Sequence, residues 1–89
     1  MEIDLTDEAR KDLLKHKRSG NKGIMKKVEL LLFTISENPY VGIGQVEQLK
    51  HELLGKWSRR INNEHRIVYS INEERQIITI HSLFGHYEK

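Results

Sequence analysis

Lys56-Trp57-Ser58-Arg59-Arg60-Ile61, Arg66-Ile67-Val68-Tyr69-Ser70-Ile71 and Gln76-Ile77-Ile78-Thr79-Ile80-His81-Ser82-Leu83-Phe84 are three runs rich in β-branched and aromatic residues. Asn62-Asn63-Glu64 and Asn72-Glu73-Glu74-Arg75 separate them, short polar segments of the kind that reverse a chain. Three strand-like runs joined by tight turns predict an antiparallel meander. Strand alternation turns Ile67, Tyr69 and Ile71 inward and sends Arg66, Val68 and Ser70 to the opposite face.

Working outward, the N-terminal side supplies what the meander needs to bury its apolar face. Residues 1–5 alternate apolar and polar, which suits a short strand. Thr6 is an N-cap candidate, with Asp7 and Glu8 near the positive end of a helix dipole and Lys15, Lys17 and Arg18 near the negative end. Ser19-Gly20-Asn21 closes that helix and opens another, in which Ile24, Val28, Leu31, Leu32 and Ile35 form a stripe wide enough to pack on a sheet. Asn38-Pro39 stops it. From Tyr40 to Gly55 the pattern loosens into a loop, with a single turn at Glu47–His51. The expectation is an α+β domain spanning residues 1–89: strand, two helices, three-stranded antiparallel meander, with both helices on one face of a curved sheet.

Composition bounds the functions such a domain can carry. A chain of 89 residues has room for one core and one working face, and its lack of cysteine excludes disulfides and thiolate metal sites. No run approaches the ~18 apolar residues of a membrane span, and the N-terminus lacks signal-peptide order, so a cytoplasmic protein is expected. The net charge of +2 is mild. The helical lysines read as a solvated outer face, whereas Arg59 and Arg60 beside Trp57 ask for another explanation. Trp57 itself reads as a core anchor or as an exposed stacking platform. His51, His65, His81 and His86 lack the spacing of a zinc motif, and no metal or cofactor is expected.

The ordered set Glu47-Gln48-Leu49-Lys50-His51, Gly55-Lys56-Trp57-Ser58-Arg59-Arg60-Ile61, Glu64-His65-Arg66-Ile67-Val68-Tyr69 and His86-Tyr87 resembles the YoeB-type toxins of bacterial toxin–antitoxin pairs, within the RelE-like superfamily. That resemblance implies a ribosome-dependent messenger-RNA endoribonuclease whose partners are a cognate antitoxin, the ribosome and its message, and it allows a homodimer. It also implies Glu47, Arg66, His86 and Tyr87 as the catalytic set, with Lys50, Arg59, Arg60 and Trp57 contacting RNA or ribosome. The chain departs from the family at Phe84, where many relatives carry a basic residue, and at Glu88-Lys89, which extend past the usual ending.

The chemistry such a set could perform follows from RNA itself. The 2′-hydroxyl is a built-in nucleophile, so cleavage without metal needs a base, cations for the crowded phosphate and an acid for the departing 5′ oxygen. Glu47 suits the base, the planar fork of Arg66 suits the phosphate, and His86 suits the acid, with Tyr87 stacking on a base or orienting the phosphate. Each has a plainer reading: a solvated loop carboxylate, a surface ion pair of Arg66 with Glu64, Glu73 or Glu74, and an inert end of the chain. Two further functions remain in view. One is a noncatalytic binding protein of the same fold, such as a gyrase poison or a degenerate toxin that sequesters antitoxin; the other is a general RNA-binding module.

Overall fold

The computed structural model describes residues 1–85. In chain order it holds β1 (Glu2–Leu5), α1 (Asp7–Arg18), α2 (Lys22–Glu37), β2 (Glu47–Gln48), a 3₁₀ turn (His51–Leu53), β3 (Lys56–Arg60), β4 (Arg66–Asn72) and β5 (Ile77–Ser82). The local signals act as their chemistry requires. Thr6 Oγ1 accepts the Ala9 amide at 3.1 Å to start α1, and Asn21 Oδ1 accepts the Ile24 amide at 3.0 Å to start α2. Asn38, ahead of Pro39, leaves helical geometry and ends α2.

The sheet runs β1-β5-β4-β3-β2. The meander β3-β4-β5 is antiparallel throughout, and β1 joins β5 in parallel, the one pairing that needs the two helices as a crossover. Both helices cover the same face, since Ala9 of α1 and Val28, Leu31 and Ile35 of α2 share one buried cluster with Ile67, Tyr69, Ile78 and Ile80 of the sheet. A bulge between β4 and β5 at Val68/Tyr69 bends the sheet there. The expected fold is therefore present, with one addition. Glu47 lies on β2, paired antiparallel to β3, rather than in the turn expected at Glu47–His51.

The loop between α2 and β2 is organised around Arg59. Arg59 stands opposite Ile67 in the β3–β4 register, so its side chain projects into the core side. It is fully buried. Its guanidinium donates to the Asn38 carbonyl at 2.6 Å, the Val41 carbonyl and the Tyr69 hydroxyl at 3.2 Å, and the Ile43 carbonyl and Thr34 hydroxyl at 3.4 Å. Tyr69 in turn donates to the Pro39 carbonyl at 2.7 Å. Gly42 is required at the closest approach: its φ is +145°, and a Cβ there would sit 2.6 Å from Arg59 Nη1.

Candidate active site

Register decides what shares the face away from the helices. Directly opposed residues project to the same side of an antiparallel pair. Arg60 opposes Arg66 in one row; Glu47, Ser58 and Val68 oppose one another in the next; Lys56 and Ser70 form a third. Rows on one face are about 7 Å apart and strands about 4.8 Å, which separates the Glu47 and Arg66 backbones by about 12 Å. Two long side chains can converge across that distance on a group held between them. Arg60 Nε and Ser58 Oγ are buried and have no hydrogen-bond partner among the described residues.

The structure thus brings together three of the residues expected from sequence, Glu47, Arg60 and Arg66. Lys50 is exposed at the start of the 3₁₀ turn. Two expectations are corrected. Arg59 lies in the interior, where five protein acceptors take its donors, because its register position alternates with Arg60 and faces Ile67. Trp57 opposes Tyr69, packs against the core cluster and meets the Tyr40 ring edge-on at 5.4 Å, so it is the anchor and not the stacking platform. His86 and Tyr87 lie outside the described residues.

The segment leading toward them is held by side chains that the sequence did not single out for this. Asp12 Oδ2 accepts the Leu83 amide at 2.9 Å, and His16 Nε2 contacts the Leu83 carbonyl at 2.7 Å. His65 Nδ1 accepts the Gly85 amide at 2.8 Å, and the Arg66 amide donates to the Gly85 carbonyl at 2.9 Å. Phe84 packs its ring on His16 and His65, with centroids 5.1 and 4.4 Å away, and Lys15 Nζ stands 4.7 Å above it. A signal was available in α1: Asp12 and His16 fall on the same helical stripe as Ala9, where a polar residue is buried and must find a partner.

At the bulge in β5, His81 Nε2 reaches Ser70 Oγ of the third row at 2.7 Å. Burial lowers the pKa of His81 below 6.5; the Lys56 ammonium acts in the same direction and the Glu8 carboxylate against it. Behind the site, burial raises the Tyr69 phenol above its ordinary 10.0, opposed by the hydrogen bond and charge of Arg59. A groove of about 310 Å³ opens beside the second and third rows. Among the described residues no three His, Asp or Glu side chains are grouped to hold a metal ion, and no helix is long and apolar enough to cross a membrane.

A five-stranded sheet with two helices on one face is the architecture of the RelE-like toxins. The profile of the YoeB-like toxins of bacterial type II toxin–antitoxin systems matches residues 5–87, and the chain belongs to that family. It is 43% identical over 72 residues to toxin YoeB of Synechocystis sp., covering 81% of each chain. A YoeB/ParE toxin from Agrobacterium tumefaciens superposes with a TM-score of 0.91 at 30% identity, over 98% of this chain and all of that one. YoeB of Staphylococcus aureus, solved as a dimer, has a TM-score of 0.82 at 39% identity over 98% of each chain. The same S. aureus toxin was solved in a heterotetrameric YoeB–YefM toxin–antitoxin complex, with a TM-score of 0.81 at 39% identity over 98% of each chain.

Proposed function

We propose that this YoeB-like toxin is a ribosome-dependent messenger-RNA endoribonuclease that halts translation in the cytoplasm. The observation that carries the reading is the opposition of Arg60 and Arg66 on the face that also bears Glu47, one row away. Two guanidiniums directly opposed on one face can both donate to the oxygens of one phosphate held between them. Ionised Glu47 takes the proton of the RNA 2′-hydroxyl. The 2′ oxygen attacks the adjacent phosphorus, Arg66 and Arg60 stabilise the added charge, and the 5′ oxygen leaves with a proton from His86. The products are a 2′,3′-cyclic phosphate and a 5′-hydroxyl. Fixed guanidiniums supply the positive charge, so no metal or cofactor is required, and Tyr87 orients the phosphate or stacks on a base.

Silencing falls to a cognate antitoxin, as the S. aureus relative's complex with YefM supports, and that relative's dimer supports a homodimer as a further assembly. The test is cleavage by purified protein on programmed ribosomes without added metal. Glu47→Gln lowers the rate by about 10²–10⁴, the span of general-base catalysis. Wild-type cutting by both Glu47→Gln and His86→Gln overturns the assigned chemistry, and intact transcripts during toxic expression favour the noncatalytic binding protein.

A further inference from the structure

At the entry to β4, two neighbouring residues have different surroundings. Arg66 turns its side chain to the working face, while His65, directly before it, is 8% exposed and packs against the end of the described chain. The cleavage chemistry uses Arg66 and leaves His65 without a role. Yet both hold the same residue. His65 Nδ1 lies 2.8 Å from the Gly85 amide, and the Arg66 amide donates to the Gly85 carbonyl at 2.9 Å. Gly85 has a φ of +72°, a left-handed conformation that glycine adopts without penalty, so the chain changes direction just past β5. Its carbonyl belongs to the peptide group shared with His86. One peptide group therefore links the backbone of the phosphate clamp to the proposed general acid.

The hydrogen bonds also assign the protons of two buried imidazoles. A backbone amide only donates, so His65 Nδ1 presents its lone pair and the ring carries its proton at Nε2. A carbonyl only accepts, so His16 donates from Nε2 to Leu83 at 2.7 Å. The two rings meet edge-on with centroids 4.7 Å apart, and the Phe84 ring lies against both. Packing from α1 and from Phe84 thus sets the orientation of the His65 ring, and the locked ring aims one acceptor at Gly85. A catalytic group keeps its geometry when the residues behind it are locked in this way.

We propose that His65 is a positioning residue for RNA cleavage: through the Gly85 peptide it sets the direction in which His86 is presented to a phosphate held by Arg66. The inference rests on the endoribonuclease reading for the role of His86. The test compares His65→Asn with His65→Leu on programmed ribosomes, below the unfolding transition of both. The two side chains are close in size and both give up the ring contacts with His16 and Phe84, but only asparagine keeps an acceptor, its Oδ1, near the place of Nδ1. His65→Leu is expected to lower kcat by about 10², the cost of a misplacement of about 1 Å, with KM little changed, and His65→Asn to recover most of that loss. Equal kcat in the two variants, or a loss confined to KM, overturns the proposal. A second arm needs no cleavage. Sulfate, which stays a dianion throughout, is added to wild type and both variants while the His86 ring is titrated by NMR. Sulfate held by Arg66 raises the His86 midpoint when His86 is presented to it. A rise in wild type and His65→Asn that is lost in His65→Leu supports the assignment even if no message is cut, an outcome that removes the endoribonuclease reading alone. The same rise in all three proteins, or none in wild type, overturns the role of His65 while leaving cleavage on ribosomes intact. Without any variant, the ring nitrogen resonances of His65 are expected to report the Nε2–H tautomer, and the Nδ1–H form overturns the assignment.

Discussion

Replacing Arg59 by alanine removes the hub of the loop between α2 and β2. Three of its five hydrogen bonds are 3.2 Å or shorter, to the carbonyls of Asn38 and Val41 and to the Tyr69 hydroxyl. Hydrogen bonds to a charged group contribute about 1.5 kcal/mol each at the low end, so the loss is about 4–5 kcal/mol. A chain of this length has a total stability of about 4–13 kcal/mol, which makes the substitution sufficient to unfold a large share of the protein. Thermal and urea unfolding of the purified protein measure it, with an expected fall in Tm of about 15 °C or more. Arg59→Lys keeps the charge but lacks the planar fork that serves acceptors on several sides, and it recovers less than half of the loss. The contrast with an RNA-contacting cation is direct. If Arg59→Ala stays within about 1 kcal/mol of wild type while ribosome binding weakens and Arg59→Lys restores it, the buried-hub account is refuted.

Two further outcomes follow from groups held at the C-terminal end of β5. Because the folded-state pKa of His81 lies below its unfolded value of 6.5, the unfolded chain binds more protons, and this contribution to stability is present above 6.5 and lost as pH falls through the folded pKa. An NMR titration of the His81 ring should give a midpoint below 6.5, and His81→Asn should reduce the acid sensitivity of unfolding; a midpoint at or above 6.5 contradicts the burial argument. Asp12→Ala leaves the Leu83 amide without its acceptor and is expected to cost about 1–3 kcal/mol in urea unfolding. An unchanged midpoint would show that Asp12 does not hold the segment.

The parts of the fold that periodicity controls were legible in the chain. The stripe from Ile24 to Ile35, the cap at Thr6, the stop at Asn38-Pro39 and the three strand runs each depend on neighbours a few residues away, and each forms the element expected. Alternation along β4 placed Arg66 and Tyr69 on opposite faces for the same reason. The two-residue strand β2 was not legible, since Glu47-Gln48 has no periodicity of its own and becomes a strand only by pairing with Ser58 and Trp57. The buried stripe of α1 signals that Asp12 and His16 need partners, but that Leu83, some seventy positions away, supplies them is a tertiary fact.

Arginine type shows the division most clearly. Arg59 and Arg60 are adjacent and chemically identical, and the family resemblance implies both as candidates to meet RNA. Pairing of β3 with β4 sends one to Ile67 and the interior and the other to Arg66 and the working face. From the chain alone came the elements, their order, the family resemblance and the residue types suited to phosphodiester chemistry, because these depend on local preference and motif order. Which cations are solvent-facing, and that Glu47 shares a face with Arg60 and Arg66, were decided by strand register. A register is a contact between distant segments, and a shift of one residue exchanges every inward side chain for an outward one.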